Sequence, residues 1–456
     1  MFQRMLIANR GEIAVRIIRA CRELGIEPIV AYSEADRDSM AVRLSDHAVC
    51  IGPGPSEKSY LSIPNVVSAA LTTGCDALHP GYGFLSENSY LAEVCEHCNL
   101  AFVGPPAQVL ERFSNKVAAR QMMKKAGLPV VPGSDGSVLN LEAARDAAAE
   151  VGFPVILKAA SGGGGRGMRR VGTDEELVRM FPLAVAEAQS AFGNGELYVE
   201  RFLSRSKHIE MQIAADRYGG AIHLGNRDCS LQRRHQKMLE EAPAGLPAEL
   251  CEAISSAAVT GARAAQYQTI GTMEFLVDSS GGFYFIEMNC RLQVEHAVTE
   301  FITGLDLVKL QIQLAAGDPL PLAQDDVSLR GHAIEARILA EDAAQDFAPE
   351  FAPIREYQPP GGPGVRIDSH IYAGYSPPPY YDSLLGKLIT WGRDRTEAIA
   401  RMDRALEETH IVGPKTTIPF LLAVLRNPQF QRGEIDTEFG VELLRKEPVL
   451  AAESGP

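Results

Sequence analysis

Apolar positions along the chain change period from one stretch to the next, and those periods outline the elements. Met5 to Ala8 is a short apolar run, Gly11 supplies a turn, and Ile13, Ile17, Cys21 and Leu24 then recur at helical spacing. Pro28 to Ala31 resumes a strand, so the start predicts strand, helix and parallel strand, the βαβ unit of a nucleotide-binding type of domain. Asn9-Arg10-Gly11-Glu12 is not GxGxxG, which removes the dinucleotide fingerprint and most of the case for a dehydrogenase. The stretch from His79 to Asn88 is rich in Gly and turn formers, as a shaped loop at the strand ends would be, although a plain structural turn has the same composition.

Further along, a helix carrying Lys116 is expected from about Ser114, with Ser114 as its N-cap. Strands are expected at Pro154 to Ala159, Leu197 to Leu203, His208 to Ala214, Thr272 to Asp278 and Phe283 to Asn289. Past residue 328 or so come another strand, a Pro- and Gly-rich stretch from Gln358 to Gly364, and a helix from Thr396 to Thr409, read as a separate α+β domain. No internal repeat is visible.

Composition narrows the partners. Of 456 residues, 46% are hydrophobic and 22% charged, as in a soluble globular protein long enough for about two or three domains. A net charge of -14 repels phosphate backbones, so no nucleic-acid partner is expected and an anionic substrate needs local Lys and Arg clusters. No membrane span is expected: the best apolar run, Ile418 to Leu425, is short and contains Pro419. The N-terminus shows no signal-peptide pattern, and eight scattered cysteines do not form a disulfide framework, which fits a cytoplasmic protein. Cys95 and Cys98 have CxxC spacing, but they fall in a helix-like stretch with no second pair to complete a zinc site.

Four constellations carry chemistry. Lys158 ends an apolar strand and leads into Ser161-Gly162-Gly163-Gly164-Gly165-Arg166-Gly167, where bare backbone can approach phosphate oxygens and form a mobile flap; no GK[ST] follows, so it is not a Walker loop. Glu287 and Asn289 share one strand face, and Glu274 is a carboxylate inside another apolar strand; together they suit a magnesium held between protein and phosphates. If the alternation continues past that strand, Arg291, Gln293 and Glu295 share a parity with Leu292 and Val294 anchored opposite, a set able to bind and deprotonate a small oxyanion. The run from Arg227 to Lys237 is either a solvated face or the cationic wall such a pocket needs; His208, Glu210 and Gln212 share one face of another strand. Arg337 is a lone Arg on a strand.

Asn9 to Ala14, His79 to Asn88, Gly162 to Met168, Asp228 to Lys237 and Glu287 to His296, in this order, resemble biotin carboxylase, an ATP-grasp family, over about residues 4 to 445. The resemblance implies a multidomain α/β and α+β fold: an N-terminal Rossmann-like domain (1–113), an ATP-grasp domain (114–327) with a mobile glycine-rich lid at about 131–203, a C-terminal α+β domain (328–446) and a frayed tail (447–456). It places Lys116, Lys158, Gly164, Gly165, His208 and His235 on ATP, with Glu200, Arg201, Phe202 and Leu203 as the hinge facing the adenine. It makes Glu274 and Glu287, both beside the ATP phosphates, and Asn289 the ligands of Mg2+ or Mn2+, two ions being expected. Lys237, Arg291, Gln293 and Val294 match the bicarbonate pocket, Glu295 the general base, and Arg337 the group that steadies the biotin enolate. Ala297, Asn115, Cys290 and Glu350-Phe351-Ala352 depart from the family pattern without touching a matched catalytic group.

The implied activity is ATP-dependent carboxylation of biotin with bicarbonate by way of carboxyphosphate, the first half-reaction of acetyl-CoA carboxylase or a related carboxylase. No biotinylation segment of Met-Lys-Met type and no carboxyltransferase domain is seen, so a stand-alone subunit is expected. Its biotin would come in trans from a biotin carboxyl carrier protein, its further partners would be carboxyltransferase subunits, and the resemblance implies a homodimer. The alternatives are another ATP-grasp ligase, of carbamoyl-phosphate synthetase or purine-pathway type, and a non-catalytic nucleotide-sensing subunit with the same fold.

Overall fold

The computed structural model describes residues 1–160 and 167–446, so Gly164, Gly165 and the 447–456 tail lie outside the described residues. At the N-terminus five parallel strands stand in the order His47–Cys50, Glu27–Tyr32, Arg4–Ile7, Ala77–His79, Ala101–Phe102. The strand–helix–strand pattern is realised: Arg4–Ile7 pairs in parallel with Glu27–Tyr32 across the helix Gly11–Glu23, whose Ile13, Ile17 and Cys21 are buried. The first strand is central, so the turn after it and the loop after Ala77–His79 leave the sheet side by side. Asn9 Nδ2 ties them together by donating to the carbonyls of Pro80 (2.7 Å) and Tyr82 (2.8 Å). Gly81 takes φ +63°, and a Cβ there would come within 2.8 Å of that amide, so the loop needs glycine on both counts.

Ser114 is not the cap of the next helix. It ends the helix Ala107–Ser114 and donates its hydroxyl to the Glu111 carbonyl. Asn115, in extended conformation, caps Lys116–Lys125 by accepting from Ala118 N at 3.0 Å; Asn and Asp cap about equally well, so this departure costs the helix little. A small sheet follows, ordered Met168–Val171, Val155–Ala159, Leu197–Arg201, packed on the helices Leu141–Val151 and Asp174–Phe192 through Ala144, Ala148, Leu177 and Phe181. The strand expected to reach Leu203 stops at Arg201.

The main body is an eight-stranded sheet in the order Phe283–Asn289, Thr269–Val277, Lys207–Ala215, Ala221–Arg233, Gln236–Ala242, His332–Leu339, Leu384–Gly392, Val365–Ser369, every neighbouring pair antiparallel. It crosses the expected division near 328, because Gln236–Ala242 pairs directly with His332–Leu339 and Glu240 stands opposite Glu335. The C-terminal third thus shares its sheet with the segment before it: strand periodicity shows which face is buried, but not which strand pairs with which.

One face of this sheet is apolar. Ile209, Met211, Ile213, Met273, Phe275 and Phe285 pack with Ile254, Ala258 and Ala262 of the helix Ala248–Ala264. The opposite face carries His208, Glu210 and Gln212, as their shared parity predicts. The cationic run from Arg227 to Lys237 is not a solvated face. It is a hairpin whose two turn residues, Arg234 and His235, take positive φ of 48° and 68°, the twist that suits a two-residue turn. Arg227 is wholly buried at its base, donating to Glu210 Oε2 (2.9 and 3.0 Å), Gln212 Oε1 (2.6 Å), Thr272 Oγ1 (2.9 Å) and Thr299 Oγ1 (3.0 Å).

All eight cysteines are free, Cys95 lying in a buried core position, and no helix among the described residues is long and apolar enough to cross a membrane.

Arg227→Met strips a buried carboxylate of one partner and leaves several acceptors unpaired, so we expect a loss of about 3–5 kcal/mol, read as a lowered denaturant midpoint. Arg145→Met, which breaks an exposed pair with Asp174, is expected to leave the midpoint unchanged.

Candidate functional site

A cleft of about 850 Å³ opens where the N-terminal loops, the small sheet and the polar face of the main sheet meet. Lys116, Lys158, His208, His235, Lys237, Glu274, Glu287, Asn289, Arg291, Gln293, Val294 and Arg337 line it, from segments up to 221 residues apart in sequence. Of the other expected residues, Glu295 lies just behind the wall, wholly buried. Glu200 is buried beneath Lys158, accepting from its Nζ at 2.5 Å, and does not line the cleft. Arg201, Phe202 and Leu203 do not line it either; Arg201 is exposed, and Phe202 lies under the Arg170 guanidinium, 4.5 Å from its ring centre.

One end of the cleft is rich in cations held by carboxylates. Glu274 and Glu287 stand opposite each other in register on adjacent strands. Lys116 Nζ donates to Glu287 Oε2 at 2.5 Å; its charge, with Lys158 and His208 helping, outweighs burial and brings the Glu287 pKa down to about 2. Burial opposes ionisation of Glu274 more strongly, yet Lys237 and His208 prevail and bring it also to about 2. His208 Nε2 lies 2.9 Å from Glu274 Oε2, and its Nδ1 meets Gln232 Nε2 at 2.7 Å.

The other end is built around Glu295. Lys237 Nζ donates to its Oε1 (2.7 Å) and Arg337 Nη2 to its Oε2 (2.9 Å). Lys237 also meets Glu210, and Glu274 Oε1 at 3.1 Å, while Arg337 Nε donates to Glu240 Oε1 at 2.6 Å. Burial and the nearby Glu210 charge work against the Glu295 carboxylate; Lys237, Arg337 and Arg227 outweigh them and hold its pKa below the usual carboxylate value. Arg291 donates to Gln293 Oε1 (3.0 Å), Asn289 Oδ1 (3.1 Å) and Glu87 Oε2 (2.9 Å).

The extended backbone expected past Asn289 is not there. The strand ends at Asn289, residues 290–295 form an irregular turn, and the helix His296–Thr303 begins at once. Arg291 and Glu295 are also not paired with each other. Leu292 anchors the turn in a core as foreseen, but Val294 faces the cleft instead. A turn brings Arg291, Gln293 and Glu295 together by curvature where the strand argument relied on alternation.

Three participants escaped the sequence reading: Glu87, Glu240 and Lys387. Lys387 was marked by position, a charge inside an otherwise apolar strand, the kind of residue that is buried only with a partner; Glu240 stands in a strand with three other polar residues and was not. Glu87 sits in the His79–Asn88 loop with nothing in its surroundings to single it out.

The donors around Glu274 fit a hard cation. Glu274, Glu287 and Asn289 offer carboxylate and amide oxygens at the cleft wall, the chemistry magnesium prefers. Among the described residues, the His, Cys, Asp and Glu groups close enough to share one ion are His208, Glu210 and Glu274, and Glu210, Cys229 and Glu295. We favour the oxygen set on its chemistry, since the other two groups bring a histidine nitrogen or a cysteine sulfur to a cation that prefers oxygen.

Three family models match the chain in succession: Biotin carboxylase, N-terminal domain over residues 1–110; Carbamoyl-phosphate synthase L chain, ATP binding domain over 115–323; and Biotin carboxylase C-terminal domain over 335–441. The biotin carboxylase of Nostoc sp. is 54% identical over 443 residues, 97% of this chain and 99% of that protein. The chain belongs to the biotin carboxylase family. Biotin carboxylase 1 of Bacillus subtilis is 53% identical over 441 residues, with 96% of this chain and 98% of that protein covered. The biotin carboxylase domain dimer of Hydrogenobacter thermophilus 2-oxoglutarate carboxylase, solved with MgADP, ADP and bicarbonate, superposes with a TM-score of 0.96 at 46% identity, each chain covered completely. The multidomain fold expected from the sequence, with N-terminal, ATP-grasp and C-terminal domains, is the fold of this family.

Burial pushes the Glu240 carboxyl up to about 7, with Arg337 opposing it. A carboxyl raised in the folded state stabilises the fold below its unfolded pKa of about 4.5 and loses that contribution as pH rises through the folded value. Between pH 4.5 and 7, Glu240→Gln should therefore lose less thermal stability than the wild type, measured by melting at several pH values.

Proposed function

We propose that this protein is the biotin carboxylase subunit of a biotin-dependent carboxylase, an ATP-dependent ligase that carboxylates biotin with bicarbonate. The observation carrying this reading is the single cleft in which Arg291, Gln293, Glu295 and Arg337 adjoin a lysine- and carboxylate-rich end suited to a nucleotide's phosphates. Relatives named biotin carboxylase, and a neighbour solved with MgADP and bicarbonate, support it.

Bicarbonate is a poor electrophile, and transfer of the terminal phosphoryl group of ATP to one of its oxygens gives carboxyphosphate and ADP. Arg291 and Gln293 bind the anion, and Glu295 removes its proton as the oxygen attacks. Lys116 and Lys158 bear charge on the nucleotide phosphates, each drawn from the carboxylate it now meets. Glu274, Glu287 and Asn289 would hold Mg2+ or Mn2+, which when bound neutralises phosphate charge. Carboxyphosphate breaks down to carbon dioxide and phosphate. Phosphate then takes the proton from the ureido nitrogen of biotin, and Arg337 stabilises the resulting enolate oxygen while the nitrogen attacks carbon dioxide. The water-excluding flap assigned to Gly164 and Gly165 falls outside the described residues.

The reading extends to biotin delivered in trans on a biotin carboxyl carrier protein, to carboxyltransferase subunits that accept carboxybiotin, and to a homodimer in the cytoplasm. The system it serves is acetyl-CoA carboxylase or a related biotin-dependent carboxylase. A full set of ionisable groups in the cleft speaks against a nucleotide sensor without turnover.

ADP release measured with magnesium and bicarbonate should rise on addition of free biotin. Glu295→Gln should lower the rate by about 10²–10⁴-fold, the usual worth of a placed general base, and Arg337→Ala should abolish the biotin stimulation. Turnover that requires ammonia or another amine and ignores biotin would overturn the assignment in favour of a different ATP-grasp ligase.

A further inference from the structure

A second buried cation stands directly behind the pocket. Lys387, in the strand Leu384–Gly392, is wholly buried and lies in register with Arg337 on the neighbouring strand. Directly opposed residues project from the same face of a sheet, so two cations leave this face side by side. Arg337 reaches Glu295, whereas Lys387 donates from Nζ to the carbonyl oxygen of Val294 at 2.5 Å, across 93 residues of sequence.

A buried ammonium needs counter-charge: Lys387 lies 3.4 Å from Glu12 Oε1 and 4.0 Å from Glu335 Oε2, whose carboxyls burial pushes up, and in register with Asp368, where Arg366 and Lys387 outweigh burial and hold the carboxylate below its usual range. Burial works against its charge, and these carboxylates together outweigh burial and keep it protonated. The distances carry the argument. Neither oxygen of Glu335, nor Oε2 of Glu12, has a hydrogen-bond partner. Were neutralising those carboxylates the whole task of Lys387, its ammonium would be hydrogen-bonded to Glu335. Its shortest contact is instead a neutral carbonyl in the turn that presents Gln293 and Glu295.

We propose that Lys387 is a positioning residue for the bicarbonate pocket, fixing the Gln293–Glu295 backbone through the Val294 carbonyl. Two other carbonyls of that turn are met locally, His296 Nδ1 lying 2.8 Å from the Gln293 carbonyl and Arg291 Nη1 donating to the Leu292 carbonyl at 3.3 Å, while the Cys290 N–H donates to Glu87 Oε1 at 2.8 Å. Lys387 supplies the hydrogen bond from a different strand. Through Glu12, which also accepts from the Tyr82 hydroxyl, it joins the turn to the N-terminal loops on the far side of the cleft. The inference rests on the assignment of this turn to bicarbonate.

The test is steady-state ADP release with free biotin, with KM determined separately for bicarbonate and for ATP. Lys387→Met removes the donor at nearly constant volume but leaves buried carboxylates exposed to one another. Lys387→Met combined with Glu335→Gln removes the donor and one of those charges together. In the double variant the melting temperature should recover toward wild type while KM for bicarbonate stays raised by about tenfold or more and KM for ATP stays within about twofold. Lys387→Arg keeps the charge and changes the reach of the donor; it should fold and raise KM for bicarbonate several-fold, which decides the matter if both uncharged variants fail to fold. Folded variants with wild-type KM for bicarbonate, or with both KM values raised alike, would overturn the proposal. A wild-type enzyme without bicarbonate-dependent, biotin-stimulated ADP release would instead overturn the assignment of the pocket.

Discussion

The site depends on keeping one carboxylate, that of Glu295, ionised where no water reaches it. Removing an ion from water costs several kcal/mol even after the surroundings relax. A unit charge about 4 Å away returns only about 4 kcal/mol at an effective dielectric near 20. One partner therefore roughly breaks even, and two with good hydrogen bonds win. Glu295 has two, Lys237 and Arg337, one on each oxygen. Each of those cations meets a second buried acidic group, Lys237 the Glu210 carboxylate and Arg337 the Glu240 carboxyl, so acids and cations alternate across the pocket floor.

Such alternation needs a rigid array, and the antiparallel sheet provides it. Register sets Glu274 opposite Glu287, Glu240 opposite Glu335, and Arg337 opposite Lys387. A slip of one residue on any of these strands would turn its charges into the apolar core and its core residues into the cleft. The penalty for that error is what specifies the register. Arg227 locks the middle of the array, since its guanidinium reaches groups on two other strands and one helix.

The same ion pairs bear on ligand exchange. Lys116 and Lys158 are held by Glu287 and Glu200, so these two cations stand in place at the cleft, largely desolvated and balanced. On the proposed function a nucleotide replaces one set of anionic partners with another, and little side-chain ordering is left to be done at binding. Glu287 released from Lys116 is then free for a metal ion.

Much of this was legible in the chain itself. Strand parity placed Glu287 with Asn289 and His208 with Glu210 and Gln212, because alternation is local and needs no knowledge of neighbours. The βαβ start and the family resemblance followed from ordered motifs. Local signals misled wherever two explanations shared a pattern: serine and asparagine are both good helix caps, and only the backbone showed that Asn115, not Ser114, is the cap here. The cationic run from Arg227 to Lys237 looked as much like a solvated face as a pocket wall until its hairpin was seen buried at the base. Sequence by itself determined which side chains share a face, since that depends on backbone period alone. Tertiary structure decided which faces meet, that Arg291 and Glu295 converge through a turn and not a strand, and that Glu240 and Lys387 stand behind them. Those outcomes depend on strand pairing over distances of up to a hundred residues, and on the desolvation that makes a charge seek whichever partner the fold brings near.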